Sequence, residues 1–127
     1  MIHGRGDLDS DDNAAVFINN GTVDAEVSAS LLRVYFSLQA GNKNNATLEA
    51  TNGGTLYVEN GFVDQSGGGT LFAADNSLVQ LGSISANRFL TVAGGTFTTA
   101  GTGVVEASYM AIDGCTNSGP MELRPAG

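Results

Sequence analysis

Asn52-Gly53-Gly54-Thr55-Leu56-Tyr57-Val58 is a Gly/Asn turn, then a hydroxyl residue, then an apolar residue that opens an alternating run. The phrase returns as Asp75-Asn76-Ser77-Leu78-Val79-Gln80-Leu81 and as Ala93-Gly94-Gly95-Thr96-Phe97-Thr98-Thr99. Its copies align on Thr55, Ser77 and Thr96. The interval between them is close to the contour of one β-solenoid coil, and an internal period of this kind bears on the whole fold rather than on one element.

Working outward, the chain carries short alternating runs separated by turn signals every ~8–12 residues, the pattern of an all-β domain. In Leu32-Arg33-Val34-Tyr35-Phe36-Ser37-Leu38 the period of two sends Leu32, Val34, Phe36 and Leu38 inward and Arg33, Tyr35 and Ser37 outward. Ala46-Thr47-Leu48-Glu49-Ala50 repeats the alternation with smaller inward residues, and Phe89–Val92, Val104–Ala107 and Tyr109–Ile112 supply later strands. Asn20-Gly21, Asn52-Gly53, Asn60-Gly61 and Asp113-Gly114 are pairs that tolerate positive φ, as tight turns between strands require. The run Ala25–Leu32 also fits a short helix.

Two all-β architectures account for these signals. A short parallel β-helix, or β-solenoid, is favoured because it explains the recurring phrase and the small inward residues. A β-sandwich or jelly roll explains the turn spacing as well and suits 127 residues. The solenoid alignment has one awkward interval: the stretch from Thr22 to Thr55 is too long for one coil and needs an insertion or a bulge. Its open ends also need caps or partner chains.

Composition agrees with one small β-rich unit. The chain divides into an acidic lead-in, residues 1–13, and a single β-rich domain, residues 14–127. Only 14% of residues are charged against a usual ~25%, so Ser, Thr, Asn and the 18 glycines carry the polar surface. Thirteen acidic residues face five basic ones, and Arg5, Arg33, Lys43, Arg88 and Arg124 form no cluster. No nucleic acid is expected as a partner, because phosphate neutralisation needs a basic stripe. Membrane insertion is not expected either, since no run reaches the ~18 apolar residues of a span, and no signal peptide is visible. Cys115 is the only cysteine and His3 the only histidine, too few ligands for a Cys/His zinc site.

The Gly-Gly-Thr-Leu-Tyr-Val and Gly-Gly-Thr-Phe-Thr-Thr phrases, within Ala46–Ala107, resemble the degenerate repeats of bacterial haemagglutinin- and autotransporter-type β-helices. That resemblance implies a β-helix used for adhesion or surface display, usually without catalysis.

Candidate sites are few. Asp7, Asp9, Asp11 and Asp12 are the candidate metal ligands, because alternating carboxylates at positions 1, 3 and 5 of a loop curl round a calcium ion. The rest of that loop departs from the pattern, with Asp12 at the sixth position and Ile18 at the twelfth, and a solvated acidic tail explains the run as well. Arg5-Gly6-Asp7 is an Arg-Gly-Asp tripeptide, a candidate partner-binding motif of the kind integrins read, although most occurrences of so short a motif are inert. Glu49 and Glu59 are carboxylates of the sort that flank a sugar in glycosidases, and equally plain outward strand positions. Tyr35 and Tyr57 are candidate sugar-stacking platforms, and Thr96-x-Thr98 is the one Thr-x-Thr step of the kind found in ice-ordering ladders.

The functional expectation is a non-catalytic structural or assembly module of an external particle or surface fibre, such as a phage virion decoration or a bacterial surface protein. It forms a homo-oligomer or joins a larger protein assembly, placed on a virion or a cell surface, and needs no cofactor. A calcium- or carbohydrate-binding adhesive module is the alternative, and a β-helical carbohydrate-active enzyme is the third reading.

Overall fold

The computed structural model describes residues 1–9, 15–37, 41–82, 90–108 and 110–119, and the backbone of 121–123. Among them there is no helix. The first sheet stacks β1 (Ile2–His3), β4 (Thr22–Ala25), β7 (Thr47–Ala50), β10 (Thr70–Ala73), β13 (Thr96–Thr99) and β16 (Thr116–Asn117), in that order. The second stacks β2 (Gly6–Asp9), β5 (Leu31–Tyr35), β8 (Thr55–Glu59), β11 (Leu78–Gly82), β14 (Val104–Ser108) and β17 (Met121–Leu123). The third holds β3 (Ile18–Asn19), β6 (Lys43–Asn44), β9 (Gly61–Asp64), β12 (Leu90–Ala93) and β15 (Met110–Asp113). Each coil gives one strand to each sheet before the chain rises to the next.

Every strand pairing among the described residues is parallel. A sandwich of hairpins would pair its strands antiparallel, so the protein is a parallel β-solenoid. Ala25 and Leu31 belong to two strands, and the intervening turn places Ala29 in the left-handed region at φ 55°. No helix forms across it.

Stacked inward side chains make the core. One column runs Val23, Leu48, Leu71 and Phe97, another Val34, Val58, Leu81 and Ala107, and all are at most 2% exposed. Each fully buried Val, Leu or Phe contributes roughly 1.5–3 kcal/mol, so these columns dominate the fold's stability. Leu32, Val34 and Phe36 point inward as the alternation predicts, while Leu38, Phe89 and Tyr109 lie outside the described residues. Ser37 does not follow the alternation outward. It comes after the end of β5, where the chain turns, and is buried with its Oγ donating to the Ala15 carbonyl at 2.6 Å.

The recurring phrase belongs to corners rather than to one strand of the coil. Thr55 lies beside Leu31 and Leu78 in the second sheet, whereas Thr96 lies beside Thr70 and Thr116 in the first. Gly54 and Gly69 show why the chemistry repeats at different corners. A Cβ on Gly54 would sit 2.0 Å from the Ala25 carbonyl oxygen, and one on Gly69 2.0 Å from that of Asn44. The chain turns tightly over the coil before it at both places, and only glycine fits. The long interval from Thr22 to Thr55 therefore needs no insertion: Thr22 pairs with Thr47, and the two threonines that bound the interval belong to different sheets.

Of the acidic lead-in, residues 1–9 are described, and they join the coil stack. Ile2 stands in the column of Val23, and Leu8 in that of Val34, so β1 and β2 are rungs of the solenoid. A buried polar ladder also fills the corner between third and first sheets. Asn19 Nδ2 donates to Asn44 Oδ1 at 2.9 Å, and Asn44 Nδ2 to Gln65 Oε1 at 2.7 Å. The same nitrogens reach the carbonyls of Thr47 and Thr70, which ties each corner to the strand of the next coil.

Candidate binding face

The outer face of the second sheet gathers the chemistry that the sequence scatters. One outward column runs Asp7, Arg33, Tyr57, Gln80 and Glu106, and beside it stand Asp9, Tyr35 and Glu59. Strand alternation puts Arg33 and Tyr35 on the same face, and parallel register sets Arg33 next to Tyr57 and Tyr35 next to Glu59. Residues a full coil apart in the chain thus meet as neighbours.

Arg33 is the centre of this patch. Its Nη1 donates to Glu59 Oε1 at 2.9 Å, its Nη2 to Asp9 Oδ2 at 3.0 Å, and Asp7 Oδ1 lies 3.4 Å from its Nε. The guanidinium carbon is 5.2 Å from the centroid of the Tyr35 ring, within cation–π range. The three carboxylates differ in setting: Glu59 is 3% exposed, Asp9 33% and Asp7 63%. The pair with Glu59 is accordingly the one shielded from water, and the contacts to Asp7 and Asp9 are weakened by solvent.

The sequence-derived sites fall as follows. Asp7 and Asp9 lie on β2 and turn toward Arg33; Asp11 and Asp12 lie outside the described residues. Among the described residues no group of three or more His, Cys, Asp or Glu side chains is arranged to hold a metal. Arg5 and Gly6 form the entry to β2, so the Arg-Gly-Asp tripeptide runs into an edge strand whose Asp7 faces Arg33. Glu49 belongs to the first sheet and Glu59 to the second, and the fold does not bring them together around one substrate position. A recess of ≈ 390 Å³ opens at the first coil, lined by Asp7, Leu8, Asp9, Val16, Phe17 and Tyr35.

The outer face of the first sheet has a different character. Thr22, Thr47, Thr70, Thr96 and Thr116 stack as a continuous ladder across five strands. The Thr-x-Thr step along one strand does not reveal this ladder, because successive members lie a full coil apart in the chain. The next outward column reads His3, Asp24, Glu49, Phe72 and Thr98, so the threonines border acid at one end and neutral residues at the other. Burial raises the pKa of Glu49, and the neighbouring Asp24 charge raises it further. Thr51 Oγ1 donates to both oxygens of Asp24 at 2.9 Å, and His3 Nδ1 pairs with Glu26 Oε1.

Cys115 packs partly buried against the core, with its thiol directed at the Val92 carbonyl, and burial raises its pKa. Among the described residues no helix is long and apolar enough to cross a membrane. No family model, no curated protein and no solved structure matches the chain. The parallel coil arrangement is consistent with the resemblance to haemagglutinin- and autotransporter-type repeats.

Proposed function

We propose that the chain is a non-catalytic structural module that assembles with copies of itself or docks on a larger external particle or fibre. The observation that carries this reading is the stack itself: three parallel sheets whose first and last strands each leave a free edge among the described residues. Strand edges template further pairing. Light scattering on a sizing column, with and without a calcium chelator, tests it. A chelator-insensitive oligomer supports the reading, and a monomer of 12.9 kDa at every concentration sinks it.

The second reading, a carbohydrate- or calcium-dependent adhesive module, draws on the outer face of the second sheet. Tyr35 and Tyr57 stand on adjacent strands there, flanking Arg33, with acidic groups around them. Aromatic faces beside hydrogen-bonding groups suit a sugar ring. Glycan binding that is lost in Tyr57→Ala while the melting temperature is kept would favour this reading over the first, and a chelator-sensitive mass would bring calcium into it.

A further inference from the structure

We propose that the outer face of the second sheet is a platform for an uncharged oligosaccharide whose chain runs along the solenoid axis. This inference rests on the adhesive-module reading and names the class of sugar and where it lies.

β5, β8, β11 and β14 are internal to their sheet, each paired on both sides. Beside the column that holds Arg33 and Tyr57, a second outward column crosses these strands. It reads Leu31, Thr55, Leu78 and Val104, in register and two residues earlier on each strand. Leu31 is 43% exposed, and Thr55, Leu78 and Val104 are half-buried, as are Tyr57 and Gln80. Tyr57 therefore has Gln80 on the next strand, Thr55 two residues back on its own, and an aliphatic strip along its flank. An aromatic ring offers a surface to the C–H face of a pyranose. The Gln80 carboxamide donates and accepts, and the Thr55 hydroxyl does both, which suits the rim of sugar hydroxyls.

Charge selects the sugar. Arg33 is the one cation on these four strands, and its guanidinium is engaged by Asp7, Asp9 and Glu59. Glu59 and Glu106 outnumber it, so the four strands carry a net negative charge that repels an acidic sugar. Both carboxylates are buried, at 3% and 6% exposure, and give a cationic sugar no accessible partner. An uncharged chain meets neither obstacle.

Shape sets the size. Strands in a sheet stand ~4.8 Å apart, so the four run for ~14 Å along the axis, room for about three pyranose rings end to end. A strip two columns wide at that height falls far short of the ~800 Å² per partner that a stable protein contact buries.

The test is a printed array of neutral, acidic and amino-sugar oligosaccharides probed with the full chain, after which the strongest hit is titrated by calorimetry. Hits confined to uncharged oligosaccharides are expected. Tyr57→Ala should weaken the titrated binding roughly tenfold and Gln80→Ala roughly fivefold. Tyr57→Phe keeps the ring and should bind as wild type, as should Glu49→Gln on the first sheet. Strongest binding to an acidic or amino-sugar oligosaccharide overturns this inference and leaves the adhesive-module reading standing. So does uncharged binding that survives both Tyr57→Ala and Gln80→Ala. Binding to nothing on the array overturns both. Circular dichroism checks that each variant is folded, and should Tyr57→Ala unfold, Gln80→Ala decides.

Discussion

Arg33 on β5 holds Glu59 on β8 through an Nη1–Oε1 bond of 2.9 Å that bridges consecutive coils, and the Glu59 carboxylate is 3% exposed. Truncating the arginine leaves a buried carboxylate without its cation, a change that costs far more than the net worth of the pair. Arg33→Met is expected to destabilise the fold by roughly 3 kcal/mol, read from the denaturant midpoint. The double variant Arg33→Met/Glu59→Leu should recover most of that loss. An unchanged midpoint in Arg33→Met would show that the bridge is not a stabilising contact.

The Glu49 carboxylate, stacked on Asp24, makes stability depend on pH. Glu49's folded-state pKa lies above its ordinary value of 4.5, so the folded state holds that proton more tightly than the unfolded chain does. The stabilising contribution is complete below pH 4.5 and is lost as pH rises through the elevated value. Glu49→Gln should therefore melt above wild type near neutral pH, with the difference shrinking as the buffer is taken down to the ordinary glutamate range. A variant that melts at or below wild type across that whole range would refute the assignment.

Leu56 is fully buried in the second sheet's inward column, between Leu32 and Val79. Its replacement by alanine removes packing from three successive coils and opens a cavity. A loss of about 2–5 kcal/mol is expected for Leu56→Ala. Thr55→Ala, one residue away on the outer face, should change stability by less than ~0.5 kcal/mol. Equal losses at both positions would mean that the inward column is not the core.

Asn44 makes three side-chain hydrogen bonds inside the corner ladder, to Asn19, Gln65 and the Thr70 carbonyl. Asn44→Leu strips partners from groups that water does not reach, which costs roughly 1–3 kcal/mol for each group left unsatisfied. Hydrogen exchange should report it locally: protection ought to fall at Asn45, Thr70 and their neighbours before it falls in the second sheet. Uniform loss across all three sheets would argue that the ladder has no local role.

What is legible in the sequence is local. Alternation in Leu32–Phe36 and Thr47–Ala50 states which side chains turn inward, because a strand's period of two is a property of its own backbone. Asn52-Gly53 and Asn60-Gly61 announce corners, because left-handed φ values are accessible to those residues; all four adopt them here. The parallel pairing of the strands decides for the solenoid over the sandwich, and the all-β class follows from these signals together. The register does not, since corners of similar steric demand place Gly-Gly-Thr before strands of different sheets. The coils also differ in length, so counting along the chain misaligns Thr55 with Thr96. Only the folded stack decides that Thr22, Thr47, Thr70, Thr96 and Thr116 share a ladder. It alone brings Asp9 and Glu59, two coils apart in the chain, to the same guanidinium. Parallel pairing joins residues a full coil apart, and those separations depend on the length of each corner, which no local pattern encodes.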